Sequence, residues 1–530
     1  MLHTPMAARG MVTAPHHLAA QSGLAVLRDG GNAIEAAVAA AATISVVYPH
    51  MCGLGGDAFW LIHEPGQQPV SIDGSGVAAA AADPARYALS GGGNVMPRHG
   101  ILSACTVAGA VSSWQAALEL SQRWEGALPL SRLFADAIHY ARHGYAVTAP
   151  QAEATARLID SLKTQPGFAD HFLSGGAPPL IGSRATLPRL ADSLERLAKF
   201  GLDDFYRGGL GFHIGAELQK LESPLTAEDL ARHRSIRRRP LSLSLDCGTV
   251  YNTPPPTQGL ASLMILGLFQ RLKVSKAEGF AHIHGLIEAT KQAFVVRNTH
   301  VTDPAHMTIH ATTYLADGLL DRLAADISPH YAAPWPQSGM PGDTVWIGAA
   351  DDSGRVVSLI QSLSGPFGSG VMLRDTGILW HNRGASFRLG EGHPNRLAPR
   401  RKPVHTLSPA LAMLKDGRVM AYGAMGGEGQ PQTQAAVFTR YVLFGQSLQG
   451  AVTAPRWVLG RGWTGPAGDL KVESRFDPAL IDALRAAGHV VSEVGAFDTL
   501  MGHAGALVRH ADGGIEGAAD PRGNGAVAAY

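Results

Sequence analysis

The chain has 530 residues, 45% hydrophobic and 16% charged, a balance that fits a folded body with a large core and excludes a disordered chain. Lys and Arg total 44 against 43 Asp and Glu, so there is no basic surplus and nucleic acid is not an expected partner. The three cysteines, Cys52, Cys105 and Cys247, lack CxxC spacing, which argues against a disulfide framework and a cysteine zinc site.

The opening stretch "MLHTPMAARGMVTAPHH" has no apolar signal core. Next, "RDGGNAIEAAVAA" predicts a turn at Gly30-Gly31, an N-cap at Asn32 and a helix packed on small alanines. The apolar run Ala33–Tyr48 carries Glu35 and is shorter than the ~18–20 residues that span a bilayer. No membrane partner and a cytoplasmic location are therefore expected. "GLGGD", Gly53 to Asp57, is a glycine loop before a strand; it reads equally as a ligand-approaching loop or a tight turn.

Residues 130–220 recur at helical spacing. "RRRPLSLSLDCGTVYNTPPPTQGLASLMILGLFQRL" then alternates, breaks at three prolines and turns helical. Tyr331 to Asp343 reads as an exposed Pro/Gly loop. At Thr344 the pattern changes to a hairpin: "TVWIGAA", a "DDSG" turn, then "RVVSLIQSLS". Val356, Ser358, Ile360 and Ser362 share one face of its second strand. Strands follow in "GVMLRDTGILWHN", "SPALAMLKDGRVMAYGAMGG" and "GHAGALVRHADGGIEGAADP". Helices early and strands late predict an α+β architecture.

The histidine groups His16-His17, His282 with His284, and His300 with His306 and His310 lack the spacing of a metal site, so no metal is expected. "GGLGFHIG" and "GPFGSG" are not phosphate loops, and no G-x-S-x-G elbow is present. Thr344 has two readings. It can be an ordinary β-branched residue at the start of a strand. If the chain were cut before it, its α-amine, with a reference pKa of about 7.7–8.0, could act as the base for its own hydroxyl.

The motifs "GMVTAPHHLAAQSGLAVLRDGGNAIEAAVAA", "VVYPHMCGLGGDAFWLI", "YNTPPPTQG", "GDTVWIGAADDSGRVVSLIQSLSGPFGSGV", "GILWHNRGASF", "RKPVHTLSPALAM" and "GAMGGEG" stand in order along nearly the whole chain. Together they resemble the gamma-glutamyltranspeptidase family of N-terminal-nucleophile hydrolases. The resemblance implies a four-layer αββα sandwich and self-cleavage between Asp343 and Thr344. The fragments would be 1–343 and 344–530, held together; whether the processed heterodimer pairs again as a homodimer stays open. It implies Thr344 as nucleophile, Ser362 as its support, and Gly426 and Gly427 as the oxyanion hole. No cofactor is implied.

Departures from the family pattern bear on the substrate. Ser75 stands near the place of an arginine that holds a glutamyl carboxylate, and Ser386 replaces an aspartate that holds its amine. His405 and Thr406 replace paired serines, and Ser364 replaces an asparagine. Val77 stands where an arginine is expected. The set "NRGASF", "HTLSP" and "YPHMCGLGGD" resembles the branch that includes oxamate amidohydrolase, an enzyme of purine-nitrogen breakdown. The implied substrate is a small carboxylated amide, with Arg383 as its carboxylate partner and Asn382, Ser364, His405 and Thr406 around it. Arg383 reads equally as half of a structural salt bridge. The alternatives are a γ-glutamyl or glutathione hydrolase or transferase, a cephalosporin-type acylase, and an uncleaved binding homologue.

Overall fold

The computed structural model describes residues 3–88, 95–335, 342–460 and 468–530. Two seven-stranded antiparallel sheets form its centre. The first runs Ala526–Ala529, Met11–Ala14, Asp343–Ala350, Val356–Ser364, Asp57–His63, Val70–Gly74 and Ile236–Arg238. The second runs Met6–Ala7, Ile515–Ala519, Ala504–Arg509, Val419–Ala424, Ala410–Leu414, Gly248–Asn252 and Leu241–Leu245.

Side-chain alternation assigns the layers. On Asp343–Ala350, Val345, Ile347 and Ala349 face outward into a core shared with the helix Ala33–Val47, every residue of which is buried. That helix starts as the sequence predicts, with Asn32 and Glu35 forming a reciprocal capping box. Trp346 and Ala350 face the other way and meet Phe59, Ile360, Ala421 and Leu507 between the sheets. The second sheet is backed by the helices Gly259–Arg271, Phe280–His300 and Gly429–Phe438. Helix, sheet, sheet, helix is the four-layer α+β sandwich that the resemblance implied.

Trp346 sets how closely the sheets approach. A Cβ at Gly423 or Gly505 would lie 2.1 or 2.5 Å from its indole, so both positions must be glycine. Its Nε1 donates to Ser358 Oγ at 2.9 Å. This bulk sits two residues from Thr344 and keeps the end of the strand rigid.

Two expectations need correction. "GVMLRDTGILWHN" forms only two-residue strands, Met372–Leu373 and Ile378–Leu379, because Gly370 and Gly377 turn the chain at positive φ. The loop Tyr331–Asp343 is exposed or half-exposed over 331–335 as expected, but the open loop does not extend to its last two residues. Tyr331 is exposed, but Ala332 N donates to Ala487 O at 2.8 Å and Ala333 N to Glu288 Oε2 at 3.1 Å. At the other end Gly342 is buried and Asp343 is paired in register with Ser364. Residues 336–341 lie outside the described residues.

Candidate active site

The hairpin register slips between Asp343 and Val345, and Thr344 sits at that slip. A bulge of this kind re-aims a side chain at the end of a strand. The Thr344 hydroxyl is buried and points between the sheets. It donates to Ser362 Oγ at 3.5 Å and accepts from Gln430 Nε2 at 3.4 Å. Ser362 Oγ also accepts from Ser364 N at 2.7 Å, and Ser364 holds a positive φ of 81°. Ser362 in turn pairs with Asp57 on the next strand. Thr344, Ser362 and Asp57 therefore form a polar row across one end of the sheet.

Facing this row is the turn before the helix Gly429–Phe438. Gly426 and Gly427 have φ of 130° and 54°, and neither N–H donates a hydrogen bond to another described residue. A Cβ added to Gly342 would meet the Gly427 Cα at 3.2 Å and Thr406 Oγ1 at 3.6 Å, so the seam and the glycine turn are in contact. Gln258, from the "PPPTQG" motif, braces the turn: its Nε2 donates to Gly427 O at 2.8 Å and to Thr406 O at 2.5 Å. Arg297 holds Gln258 Oε1 at 2.9 Å and pairs with Glu428 at 3.3 Å. Two free N–H groups at a helix N-terminus suit a developing negative charge.

Beyond Asp57 lies a buried cluster. Asp57 Oδ2 is 3.1 Å from His381 Nδ1 and 3.9 Å from both Arg383 Nε and His405 Nε2. Asp57 Oδ1 accepts from the N–H groups of Gly109 and Gly76, at 3.2 and 3.4 Å. Arg383 is 2% exposed, yet Nε and one terminal nitrogen have no hydrogen-bond partner among the described residues. Both ring nitrogens of His405 are equally unspent. Burial lowers Arg383 to about 10, against the pull of Asp57, so it stays cationic at neutral pH. Burial, then Arg383, Lys402 and His381, hold His405 well below the ordinary histidine range, so it is neutral.

The other sequence-predicted residues divide. Asn382 is spent on the backbone: its Nδ2 donates to Arg98 O at 2.8 Å and its Oδ1 accepts from Gly365 N at 2.9 Å. It braces the turn after Ser364. Near Ser75, where the family arginine is missing, Lys402 Nζ reaches Ser75 Oγ at 3.1 Å but is bound to Asp73 at 2.8 Å. Burial raises the Asp73 carboxyl, and Lys402 and Arg238 outweigh it to leave the group below its ordinary value. Ser386, His405 and Thr406 share the wall of a cavity of about 260 Å³ with Arg388, His393, Asn395 and Glu428.

The sequence profile of the gamma-glutamyltranspeptidase family matches residues 19–530. The chain belongs to the gamma-glutamyltranspeptidase family. It is 52% identical over 522 residues to the oxamate amidohydrolase proenzyme of Klebsiella pneumoniae, covering 98% of each chain. It is 40% identical to the glutathione hydrolase-like YwrD proenzyme of Bacillus subtilis, again over 98% of each. Among solved structures, a cephalosporin acylase from Bacillus halodurans superposes with a TM-score of 0.91 at 32% identity, covering 100% of this chain and 97% of that one. The fold is thus that of the N-terminal-nucleophile hydrolases, and the chain is an enzyme of the amidohydrolase type acting on C–N bonds.

Within this family frame, sequence reasoning missed Asp57, His381 and Gln430. Asp57 was legible as the charged end of "GLGGD", and Gln430 as a glutamine three residues after the glycine pair. His284 also meets two residues that were in none of the histidine groups: ligand atoms of His284, Glu288 and His489 lie within 4.8 Å of one another. Their bonds are already used. Lys291 Nζ donates to Glu288 at 2.7 Å, and His284 Nδ1 is 2.9 Å from His489 Nε2. The network ties down Ala333, whose carbonyl accepts from Lys291 at 2.6 Å.

Several buried histidines carry a pH consequence. Burial holds His50 and His405 well below the ordinary range, and lowers His233 and His282 to about 4. Below about pH 6.5 the unfolded chain takes up protons that the folded chain refuses. Stability therefore falls with pH, by roughly 2 kcal/mol per such histidine at pH 5. The melting temperature is expected to drop clearly between pH 7 and pH 5; a flat or rising profile would contradict these burials.

Proposed function

We propose that the chain is a self-processing amidohydrolase with Thr344 as its nucleophile and a small carboxylated amide, oxamate foremost, as its substrate. The observation that supports the substrate is Arg383. A buried guanidinium with unspent donors is costly unless an anion completes it. A carboxylate fits its fork bidentately, and neutral His405 adds a hydrogen bond without competing charge.

Maturation breaks the Asp343–Thr344 peptide bond. The Thr344 hydroxyl attacks the Asp343 carbonyl, the peptide nitrogen leaves as the Thr344 amine, and water hydrolyses the resulting ester. The products are fragments 1–343 and 344–530, held in one sandwich by the shared sheets. The new α-amine then takes the hydroxyl proton as Oγ attacks the substrate amide carbon. Gly426 and Gly427 N–H groups hold the oxyanion, ammonia leaves with the proton, and water releases oxalate from the acyl-enzyme. Ser362, between Thr344 and the Ser364 N–H, fixes the hydroxyl rotamer.

The cavity beside Thr406 favours a second reading. At about 260 Å³ it is far larger than oxamate, so a bulkier amide, as in the acylase relatives, has room. Turnover of oxamate, glutathione and a side-chain acyl amide by the cut enzyme separates the readings. Oxamate as the best substrate upholds the first; glutathione or the acyl amide overturns it.

The oxyanion assignment has its own test. Gly427 sits in the left-handed region, where a Cβ costs about 1–2 kcal/mol, so Gly427→Ala should twist its N–H out of line. Loss of one such donor costs about 10²–10³-fold in kcat. That drop, with KM little changed, is expected from steady-state kinetics on enzyme with normal fragments. A kcat within a few-fold of the parent would remove Gly427 from the site.

A further inference from the structure

We infer that Gln430 is a second hydrogen-bonding partner of the nucleophile, a neutral donor that stabilises the Thr344 oxygen as it loses its proton. The inference rests on the reading of Thr344 as nucleophile and adds a residue to it.

Gln430 is fully buried on the first turn of the helix Gly429–Phe438, three residues beyond the glycine pair. Its amide orientation follows from its surroundings. Gln430 Oε1 accepts from the Ser408 N–H at 3.0 Å and from the Ser408 hydroxyl at 3.4 Å. The oxygen is thereby placed, and the NH₂ group must face Thr344 Oγ1, 3.4 Å away. Ser408 is itself held: its carbonyl accepts from Gln434 Nε2, and Gln434 Oε1 accepts from Ser262 Oγ at 2.6 Å. A chain of buried amides and hydroxyls thus runs from the outer helix Gly259–Arg271 to the nucleophile. Buried networks of this kind fix one geometry when every member is satisfied.

The donor matters at two moments. In the uncut chain the Thr344 nitrogen is a peptide amide and cannot serve as base. Among the described residues, Gln430 and Ser362 are then the side chains bonded to its hydroxyl, one donating a hydrogen bond to the oxygen and one accepting a hydrogen bond from it. As negative charge builds on Oγ, the long 3.4 Å contact tightens. In deacylation the same oxygen leaves from the ester, and the N–H stabilises it again. A cation here would attract the carboxylate away from Arg383, and a carboxylate would repel the alkoxide. A carboxamide does neither.

The test compares Gln430→Met and Gln430→Glu with the parent chain, reading the rate at which a fragment starting at Thr344 appears and then kcat and KM. Met keeps the length and removes the donor. It should slow cleavage and lower kcat by about 30-fold or more, with KM within about two-fold. Glu is nearly isosteric and should be as slow as Met at pH 8. Its buried carboxyl titrates above the ordinary range, and once protonated it donates an O–H. Measured against the parent at the same pH, Gln430→Glu should therefore regain rate toward pH 5 where Met does not. Met at the parent rate, or equal slowing of both variants with parallel pH profiles, overturns the inference. If Met fails to fold, the pH profile of Glu against the parent decides alone. A parent chain that never yields the Thr344 fragment overturns the nucleophile reading instead, which distinguishes the two failures.

Discussion

Thr344→Ala is expected to remain a single uncut chain that folds normally and has no measurable amidase activity. The argument is local. The Thr344 oxygen stands between Ser362 Oγ and Gln430 Nε2, and the turn facing it carries the N–H groups of Gly426 and Gly427, unspent among the described residues. Removing the oxygen removes the attacking atom for self-cleavage and for turnover together. Loss of a nucleophile lowers kcat by about 10⁴-fold or more, because what remains is binding and the oxyanion hole. The fold should survive, since Val345 and Trp346 carry the packing of this strand end. Thr344→Ser should still cut, more slowly, because it lacks the methyl group that restricts the rotamer. A cut Thr344→Ala chain would show that the seam is broken by something other than this residue.

The second large effect is expected at Arg383. Its replacement by Met should lower kcat/KM for oxamate by about 10²–10³-fold, the loss of a bidentate charge-assisted pair in a buried site. Oxamide, which has the same reacting amide but no carboxylate, should be turned over almost unchanged. The salt-bridge reading makes the opposite forecast. If Arg383 served only to neutralise Asp57, breaking the pair would destabilise the fold by several kcal/mol and affect every substrate alike. The 3.9 Å separation and the unspent guanidinium nitrogens favour the first forecast. Melting temperature and the oxamate-to-oxamide ratio, measured on one variant, decide between them.

Much of this was legible in the chain. The hairpin from Thr344 was readable because β-branched and aromatic residues crowd the two runs on either side of the "DDSG" turn, and that turn fixes the register of two strands buried on both faces. The alanine helix declared itself through Asn32 and Glu35, a local signal. The glycine pair and Arg383 came from the family resemblance; Gly427 lies against Gly342 at the seam, and Arg383 lies beside Asp57.

The rest depended on contacts that no local pattern encodes. Gln430 meets Thr344 across 86 residues of chain, through two sheets facing each other. Asp57 looked like the end of a loop, and only the pairing of Asp57 with Ser362 sets it in the polar row. Asn382 is tied to the backbone of Arg98 and Gly365 through one N–H and its oxygen, contacts far away in the chain. The bulge at Thr344 is invisible in a period-two pattern, yet it aims the hydroxyl.

The most direct test is a time course of intact mass on the purified, denatured chain, with N-terminal sequencing of each fragment. The account predicts two species whose masses sum to the parent plus one water, the smaller beginning at Thr344. A chain that stays whole while it hydrolyses an amide, or one that is cut at another bond, would contradict it.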